Sequence, residues 1–386
     1  MGNHIPYWHK TILVGIIVLS LITVTWADSG PTHQVDQPFP IQLGTSGGNI
    51  NDSSKGFCYG GTLGALVEDM SGNQYILSNN HVLARTNLAK IGEGIIQPGL
   101  IDQSPACFKD NSDIVADLFA FVPILFKGKG TMPWNAVDAA IAQVRVGTTD
   151  IVDPTGSILD IGTLSSETVA PSPGILGMAV KKSGRTTGLT AGNITGVKAT
   201  IDVSYGSGKT ARFTNQIVVG TGDFIAAGDS GSLMVEDVKV NPRAVGLLFA
   251  GSSNTAIANP IDNVLNAFGV SMVGSGASAS VMGKILAWAK KLLSVAESQA
   301  ANAQLSTQAS QAALDAVTRV KEHHEGRLLA VPGVIGVGVG VSEKTSREAA
   351  IEIYVKEAGE SMHRALPKSL DGVEVKIIET GEIHAY

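Results

Sequence analysis

From about Phe57 to Gly269 the apolar residues come in short runs separated by clusters of Gly, Asn, Asp and Pro. The runs Gly61–Val67, Tyr75–Ser78, Ile114–Val122, Ala139–Val146, Ile175–Val180, Gln216–Val219 and Val245–Phe249 are the predicted strands. Strands at this spacing with no intervening helical period predict an all-β barrel or sandwich. The pattern changes at Val273-Gly274-Ser275-Gly276-Ala277, a linker composition. Beyond it Val281, Ile285, Trp288, Leu292 and Val295 recur at steps of four and three, the seam of an amphipathic helix. An Ala/Gln/Ser-rich stretch extends that helix to about Val320. The final segment alternates with period two: Val337, Val339 and Val341 on one face against Gly336, Gly338 and Gly340 on the other. The alternation returns in Ile351, Ile353, Val355 and in Val373, Val375, Ile377, so three strands and the preceding helix predict a small α+β unit. Its all-glycine strand face admits close approach to the backbone, and helix packing is expected there.

Composition sharpens this picture. Hydrophobic residues make up 44 % of the chain and charged residues 16 %, against about 25 % charged in an average protein, so a core is affordable and disorder is excluded. Glycine, 45 of 386 residues, exceeds its average share of about 7 % and suits a turn-rich β fold. The net charge of -6 arises from scattered charges without a basic footprint, which excludes nucleic acid as a partner.

Residues Thr11–Ala27 form an uncharged run after Lys10, the layout of a signal peptide cleaved after Ala27 or, uncleaved, of an N-terminal anchor. Either form implies an exported chain (secreted, periplasmic or in the cell envelope), membrane-bound only if the segment is retained. Cys58 and Cys107 are compatible with an oxidising compartment, either bridged or as two buried thiols. No metal site is expected: in Glu322-His323-His324-Glu325 adjacent helical side chains diverge by about 100°, which reads as a solvated helix end. The alternating VGVGVG run lacks the following helix of a dinucleotide fingerprint, so no cofactor is expected.

The strongest chemical signal is Gly228-Asp229-Ser230-Gly231-Ser232. A serine hydroxyl is a poor nucleophile at neutral pH and needs an adjacent base and oxyanion donors. His81 in Ser78-Asn79-Asn80-His81-Val82-Leu83 is the candidate base. Asp138, opening the apolar strand Val137-Asp138-Ala139-Ala140-Ile141-Ala142, is the candidate orienting acid, because a buried carboxylate is costly unless hydrogen-bonded. Asp113 and Asp117 are its rivals, and Ser232 is read as a local bonding group. The chain order His, Asp, Ser is one of the known orders of a catalytic triad.

Together with Gly60-Gly61-Thr62-Leu63 before the histidine and Lys182-Ser183-Gly184-Arg185-Thr186-Thr187-Gly188, these motifs resemble the chymotrypsin-fold (trypsin-like) serine proteases. The arrangement is similar to the narrow-leaf type of plants and bacteria, and the resemblance covers roughly Gly56 to Gly269. It implies a mainly β, chymotrypsin-like double β-barrel over 56–272, after a signal or anchor (1–27) and a linker (28–55). A helical connector (273–311) and a small C-terminal α+β domain (312–386) follow. It further implies Ser230 as nucleophile, His81 as base then acid, Asp138 as orienter, and the N–H groups of Gly228 and Ser230 as oxyanion hole. The substrate would be a protein or peptide, and homo-oligomerisation would run through the connector or the C-terminal domain. The alternative is a catalytically silent protease-fold binding or scaffold protein. The chain departs from the family in lacking an Arg/Lys-Ile-Val-Gly-Gly activation sequence, so no new N-terminus is at hand for Asp229. The pocket position six before the nucleophile is Phe224, with Asp223 beside it, and Phe249, Ala250 and Gly251 form the opposite wall. That set favours an apolar or medium-sized P1 residue, whereas a one-residue shift would place the Asp223 carboxylate in the pocket.

Overall fold

Glycine-punctuated apolar runs make short strands that curl, and in this chain they close twice. The computed structural model describes residues 33–386 except 55, 148–149, 171–174, 221–222, 277–299 and 344–347, and of 300–310 the backbone alone. The N-terminal segment 1–27 and the helical seam Val281–Val295 lie outside the described residues. Among the described residues no helix is long and apolar enough to cross a membrane.

The first barrel comprises β1 (Thr45–Asn49), β2 (Gly61–Leu63), β3 (Ala65–Glu68), β4 (Gln74–Ser78), β5 (Gly94–Ile96), β6 (Ile114–Phe121) and β7 (Ala140–Val144), with α1 (Asn80–Leu83) after β4. Its sheet runs Ser271–Met272, β3, β4, β7, β6, β5, β1, β2. Because β2 continues into β3 through Gly64, one end of the sheet runs into the strand next to its other end, and the sheet closes on itself. Leu63, Leu66, Ile76, Leu77 and Ile141 fill the interior, each at most 1 % exposed. Burying such a side chain contributes about 1.5–3 kcal/mol.

The span 28–55, expected as a linker, supplies β1 to this barrel, and Ile41 and Leu43 just before it are fully buried. The sequence Thr-Ser-Gly-Gly-Asn hides a strand because it is paired on both sides, so its small residues are buried by backbone neighbours rather than by apolar bulk.

The second barrel is formed by β8 (Ala179–Gly184), β9 (Gly188–Ser204), β10 (Thr210–Val219), β11 (Leu233–Glu236), β12 (Ala244–Gly251) and β13 (Ala256–Pro260), followed by α2 (Ile261–Phe268). The pairing order β9, β8, β11, β12, β13, β10 closes where β9 also pairs with β10. The chain is therefore mainly β, with the chymotrypsin-like double barrel that its motifs imply. Ile175, expected in a strand, precedes β8, which starts at Ala179.

Strand β9, 17 residues long with register shifts, overruns the barrel and pairs its far half with β14 (Val334–Val341). There follow β15 (Ala349–Val355), α4 (Glu360–Ala365), β16 (Val373–Glu379) and β17 (His384–Ala385), with α3 (Ala300–Leu328) preceding them all. The C-terminal strands thus extend the sheet of the second barrel, in the order β16, β15, β14, β9. Leu314, Val317 and Leu328 of α3 pack with Val337, Val339, Ile351 and Ile353, so the helix covers the valine face of β14.

The glycine face, where a helix was expected, is instead filled by the neighbouring strand. Gly336 and Gly338 stand opposite Tyr354 and Glu352 of β15. The Tyr354 hydroxyl donates to Glu352 at 2.8 Å, and Lys376 of β16 donates to the same carboxylate at 3.2 Å. A Cβ on Gly338 would lie 2.8 Å from the Tyr354 oxygen. The glycines are there to house a buried Tyr–Glu–Lys cluster.

Candidate active site

Strands β4 and β7 are antiparallel neighbours, with Ala140 opposite Ser78. Residues just past Ser78 and just before Ala140 are therefore brought together, and those residues are His81, in the first turn of α1, and Asp138. The His81 Nδ1 lies 2.6 Å from Asp138 Oδ2, and the His81 backbone N–H donates to Oδ1 at 3.3 Å. Asn79 and Asn259 fix the Asp138 backbone: both side-chain amides donate to its carbonyl, at 2.7 and 3.2 Å, and Asn259 accepts its N–H at 3.2 Å. A third donor to the carboxylate is Tyr205, whose hydroxyl reaches Oδ2 at 2.7 Å from the turn between β9 and β10. Its ring also stands edge-on to His81, centroids 5.9 Å apart. The rival acids are engaged elsewhere: Asp117 with Arg145 at 2.7 and 2.8 Å, and Asp113 with Gln103 at 2.8 Å.

Ser230, fully buried, sits on the loop that docks the second barrel against the first. Thr62 of β2 donates its N–H to the Ser230 carbonyl (2.8 Å) and its hydroxyl to the Gly228 carbonyl (3.0 Å). Two glycines make this approach feasible. A Cβ on Gly64 would fall 2.0 Å from the Gly231 carbonyl oxygen, and Gly231 has φ +94° with no room beside Ser78 and Thr62. Among the described residues the N–H groups of Gly228 and Ser230 donate no hydrogen bond, while Ser232 donates to the Asp229 carbonyl at 2.5 Å.

Asp229, for which the resemblance implies a new N-terminus as partner, is held by other groups here. Its buried carboxylate accepts from the N–H groups of Thr186 (2.8 Å), Thr187 (3.1 Å) and Ala226 (2.9 Å) and from the Thr187 hydroxyl (2.7 Å). The Lys182 ammonium, equally buried, is 3.5 Å away and also bonds Thr187 and the Gly188 carbonyl. An internal lysine and a threonine turn thus satisfy the Asp229 carboxylate from within the chain. Burial depresses the Lys182 ammonium and the Asp229 charge acts against that. In the sequence the lysine lies within a strand and its partner in a distant loop of the same barrel, and spacing alone does not connect them.

The His81 imidazole is held above its ordinary value: burial alone would lower it, but Asp138, the carbonyl of Tyr386 and the more distant Asp52 together outweigh that. Asp52 is itself pushed up to about 6 by burial, against the attraction of Arg85 and His81. Next to His81 lies a cleft of about 340 Å³ bordered by Asp52, Tyr59, Arg85, Tyr205 and Tyr386.

His81 and Ser230 each have another partner. The Ser230 hydroxyl donates to the Phe249 carbonyl at 3.0 Å, and His81 Nε2 is 2.9 Å from the Tyr386 carbonyl oxygen. The strand that Tyr386 directly follows, β17, lies between the two arms of the second barrel: Ala385 and His384 pair with Ala250 and Gly251 of β12, and His384 pairs with Ser204 of β9. Nothing in the sequence marks this strand, because Glu-Ile-His-Ala-Tyr has no period long enough to read.

Of the residues expected at a substrate pocket, Ala250 and Gly251 form the edge that β17 pairs with. Phe224 is fully buried in the core with Val180 and Ile194, and Phe249 packs on Phe213 at 4.7 Å. Asp223 is exposed. Cys58 and Cys107 are joined in a disulfide. Among the described residues no His/Cys/Asp/Glu group could hold a metal ion; His324 instead pairs with Asp371 at 2.9 Å.

Residues 137–261 match the model of the Nal1 C-terminal domain. Over 154 residues the chain is 29 % identical to glutamyl endopeptidase 2 of Streptomyces griseus, an alignment covering 36 % of this chain and 78 % of that protein. Among solved structures it is similar to a glutamic acid specific serine protease that utilizes a novel histidine triad in substrate binding (20 % identity, TM-score 0.40, covering 60 % of this chain and 100 % of that one). It is also similar to Thermobifida fusca protease A (16 % identity, TM-score 0.39, covering 61 % and 99 %). These relatives are proteases, and the chain is similar in sequence and motif to the chymotrypsin-fold serine proteases.

Proposed function

We propose that the chain is an exported serine endopeptidase that hydrolyses peptide bonds through an acyl-enzyme on Ser230. The observation that carries this reading is the buried Asp138 carboxylate held 2.6 Å from His81 Nδ1 at the barrel seam where the Ser230 loop docks. In the reaction the Ser230 oxygen attacks the scissile carbonyl while His81 Nε2 takes its proton, and Asp138 stabilises the imidazolium that forms. The N–H groups of Gly228 and Ser230 receive the oxyanion; one such donor supplies about 3–4 kcal/mol of transition-state stabilisation. His81 then protonates the leaving amine, and water repeats the sequence to free the acid.

A glutamate preference, named for the relatives, is not carried over. Burying a carboxylate needs a cation or several donors, and neither 219–233 nor 245–259 contains Lys, Arg or His. Export rests on the Thr11–Ala27 run and the disulfide.

A fluorophosphonate probe tests the reading: it should label the wild-type chain and not Ser230→Ala, and equal labelling of both would remove the assignment. Peptide turnover should fall by about a million-fold in Ser230→Ala or His81→Ala. The Ser230 hydroxyl donating to Phe249 rather than to His81 favours one other reading, a catalytically silent binding or scaffold protein. No labelling together with a stable partner in a pull-down would establish that instead.

A further inference from the structure

An exposed sheet edge binds an extended peptide by adding it as a strand, with backbone hydrogen bonds giving affinity and side-chain pockets giving selectivity. The edge of β12 at Ala250–Gly251 is such a site, since Phe249, the residue before it, bonds the Ser230 hydroxyl. The chain's own β17 is already added there. Ala385 and His384 are in antiparallel register with Ala250 and Gly251, and this register delivers the next carbonyl, that of Tyr386, to His81 Nε2 at 2.9 Å. The Tyr386 ring lies over Gly251 beside Ile225: a Cβ on Gly251 would meet Ile225 Cγ2 at 2.8 Å and Tyr386 Cε2 at 3.2 Å. The same Cβ would lie 2.7 Å from the Thr255 carbonyl oxygen, so the backbone is bare here and open to the ring, which packs against the apolar core of the second barrel. The root of the strand is anchored separately. Ile383 is 1 % exposed in the cluster with Tyr354 and Ile335, and its carbonyl accepts the Ser204 N–H at 2.9 Å.

We propose that His384-Ala385-Tyr386 is an intramolecular ligand of the site, seated as the acyl-side half of a peptide substrate, and that the cleft selects an aromatic residue before the scissile bond with a small residue preceding it. The inference rests on the serine-protease reading of the site and adds its substrate class and its regulation. With this occupant in place the Ser230 hydroxyl donates to Phe249 and His81 Nε2 holds Tyr386. A tethered segment competes at an effective concentration in the millimolar range, so three residues of weak intrinsic affinity suffice to keep the cleft filled. Protein substrates reach Ser230 when β17 leaves the β9–β12 slot.

The test compares the full chain with a chain ending at Ile383, which keeps the buried anchor, and with Tyr386→Ala. The fluorophosphonate probe should label the shortened chain at least about tenfold faster than the full chain, with Tyr386→Ala in between. The shortened chain should cleave a succinyl-Ala-Ala-Tyr anilide about a hundredfold faster than its Glu counterpart, and acetyl-His-Ala-Tyr should inhibit it competitively. Equal labelling of full and shortened chains, or a preference for Glu, overturns the inference while leaving Ser230 as nucleophile. If neither chain is labelled, the serine-protease reading falls. Calorimetric titration of the shortened chain with acetyl-His-Ala-Tyr still decides the ligand role: binding supports it and no binding overturns it.

Discussion

Asp138 has three donors, and one of them comes from the far barrel. Tyr205 reaches the carboxylate at 2.7 Å from the β9–β10 turn, and burial together with the Asp138 charge holds its phenol well above its ordinary value, so it stays a donor. Removing that hydroxyl returns negative charge to Oδ2, which then grips the His81 imidazolium harder. Tyr205→Phe should therefore lower the rate of Ser230 labelling about tenfold, within the roughly 1.5–3 kcal/mol of a hydrogen bond to a charged group. It should also move the acid limb of the labelling–pH profile upward. Loss of rate with an unmoved profile would make Tyr205 a packing residue only. The Asp138–His81 pair was legible because strand pairing converts local motifs into neighbours. Tyr205 was not, since a tyrosine beside Gly206 and Gly208 reads as a turn and its partner is 67 positions away. Lys182 was hidden likewise, by a strand pattern in which a second lysine, Lys181, faces outward to Val238 and Asp237.

At the scale of elements, alternation located the C-terminal strands but misassigned what covers one face. Period two states that β14 has two faces and gives no information on which neighbour fills each. Tyr354 and Glu352 fill the glycine face because they stand opposite it on β15, and burial holds both groups above their ordinary values. If that face were open, Gly338→Val would be neutral or favourable, since glycine in a strand costs conformational entropy. As the face is filled, Gly338→Val should destabilise by about 1–3 kcal/mol through overpacking. Ile351→Ala, on the helix-covered face, should cost about 2–5 kcal/mol through a cavity. Urea unfolding midpoints check both, and an unchanged midpoint for Gly338→Val would refute the filled face. The strand β1 shows the converse failure, a buried element without apolar residues to announce it. In both cases strand partners, which hydrophobicity along the chain does not encode, decide what is buried.

Over the whole molecule, the contact between β17 and His81 ties the state of the cleft to pH. With a carboxylate at Nδ1 and a carbonyl at Nε2, both ring nitrogens of His81 must carry protons to donate, so the occupied cleft holds an imidazolium. Burial works against this charge, and Asp138, the Tyr386 carbonyl and Asp52 override it, which leaves the imidazole above its ordinary value. The groups facing His81 are Asp138 before β7, Tyr205 from the β9–β10 turn, Asp52 from the loop after β1 with Arg85 beside it, and Tyr386 directly after β17. A group whose value is raised by a contact contributes fully below its unperturbed value, about 6.5 for histidine, and loses that contribution as pH rises through the raised one. The occupied cleft is therefore favoured in acid and weakened in alkali. The ratio of labelling rates, chain ending at Ile383 over full chain, should be largest near pH 6 and fall steadily towards pH 9. Below about pH 6 Asp52 protonates and its attraction for the imidazolium disappears, so the ratio should pass its maximum there and decline. Asp52→Asn should lower the ratio at pH 7 and remove that acid-side decline, leaving a plateau in acid and the alkaline fall in place. A ratio independent of pH would mean that β17 is held by its strand pairing alone and that the imidazole contributes nothing to closing the cleft.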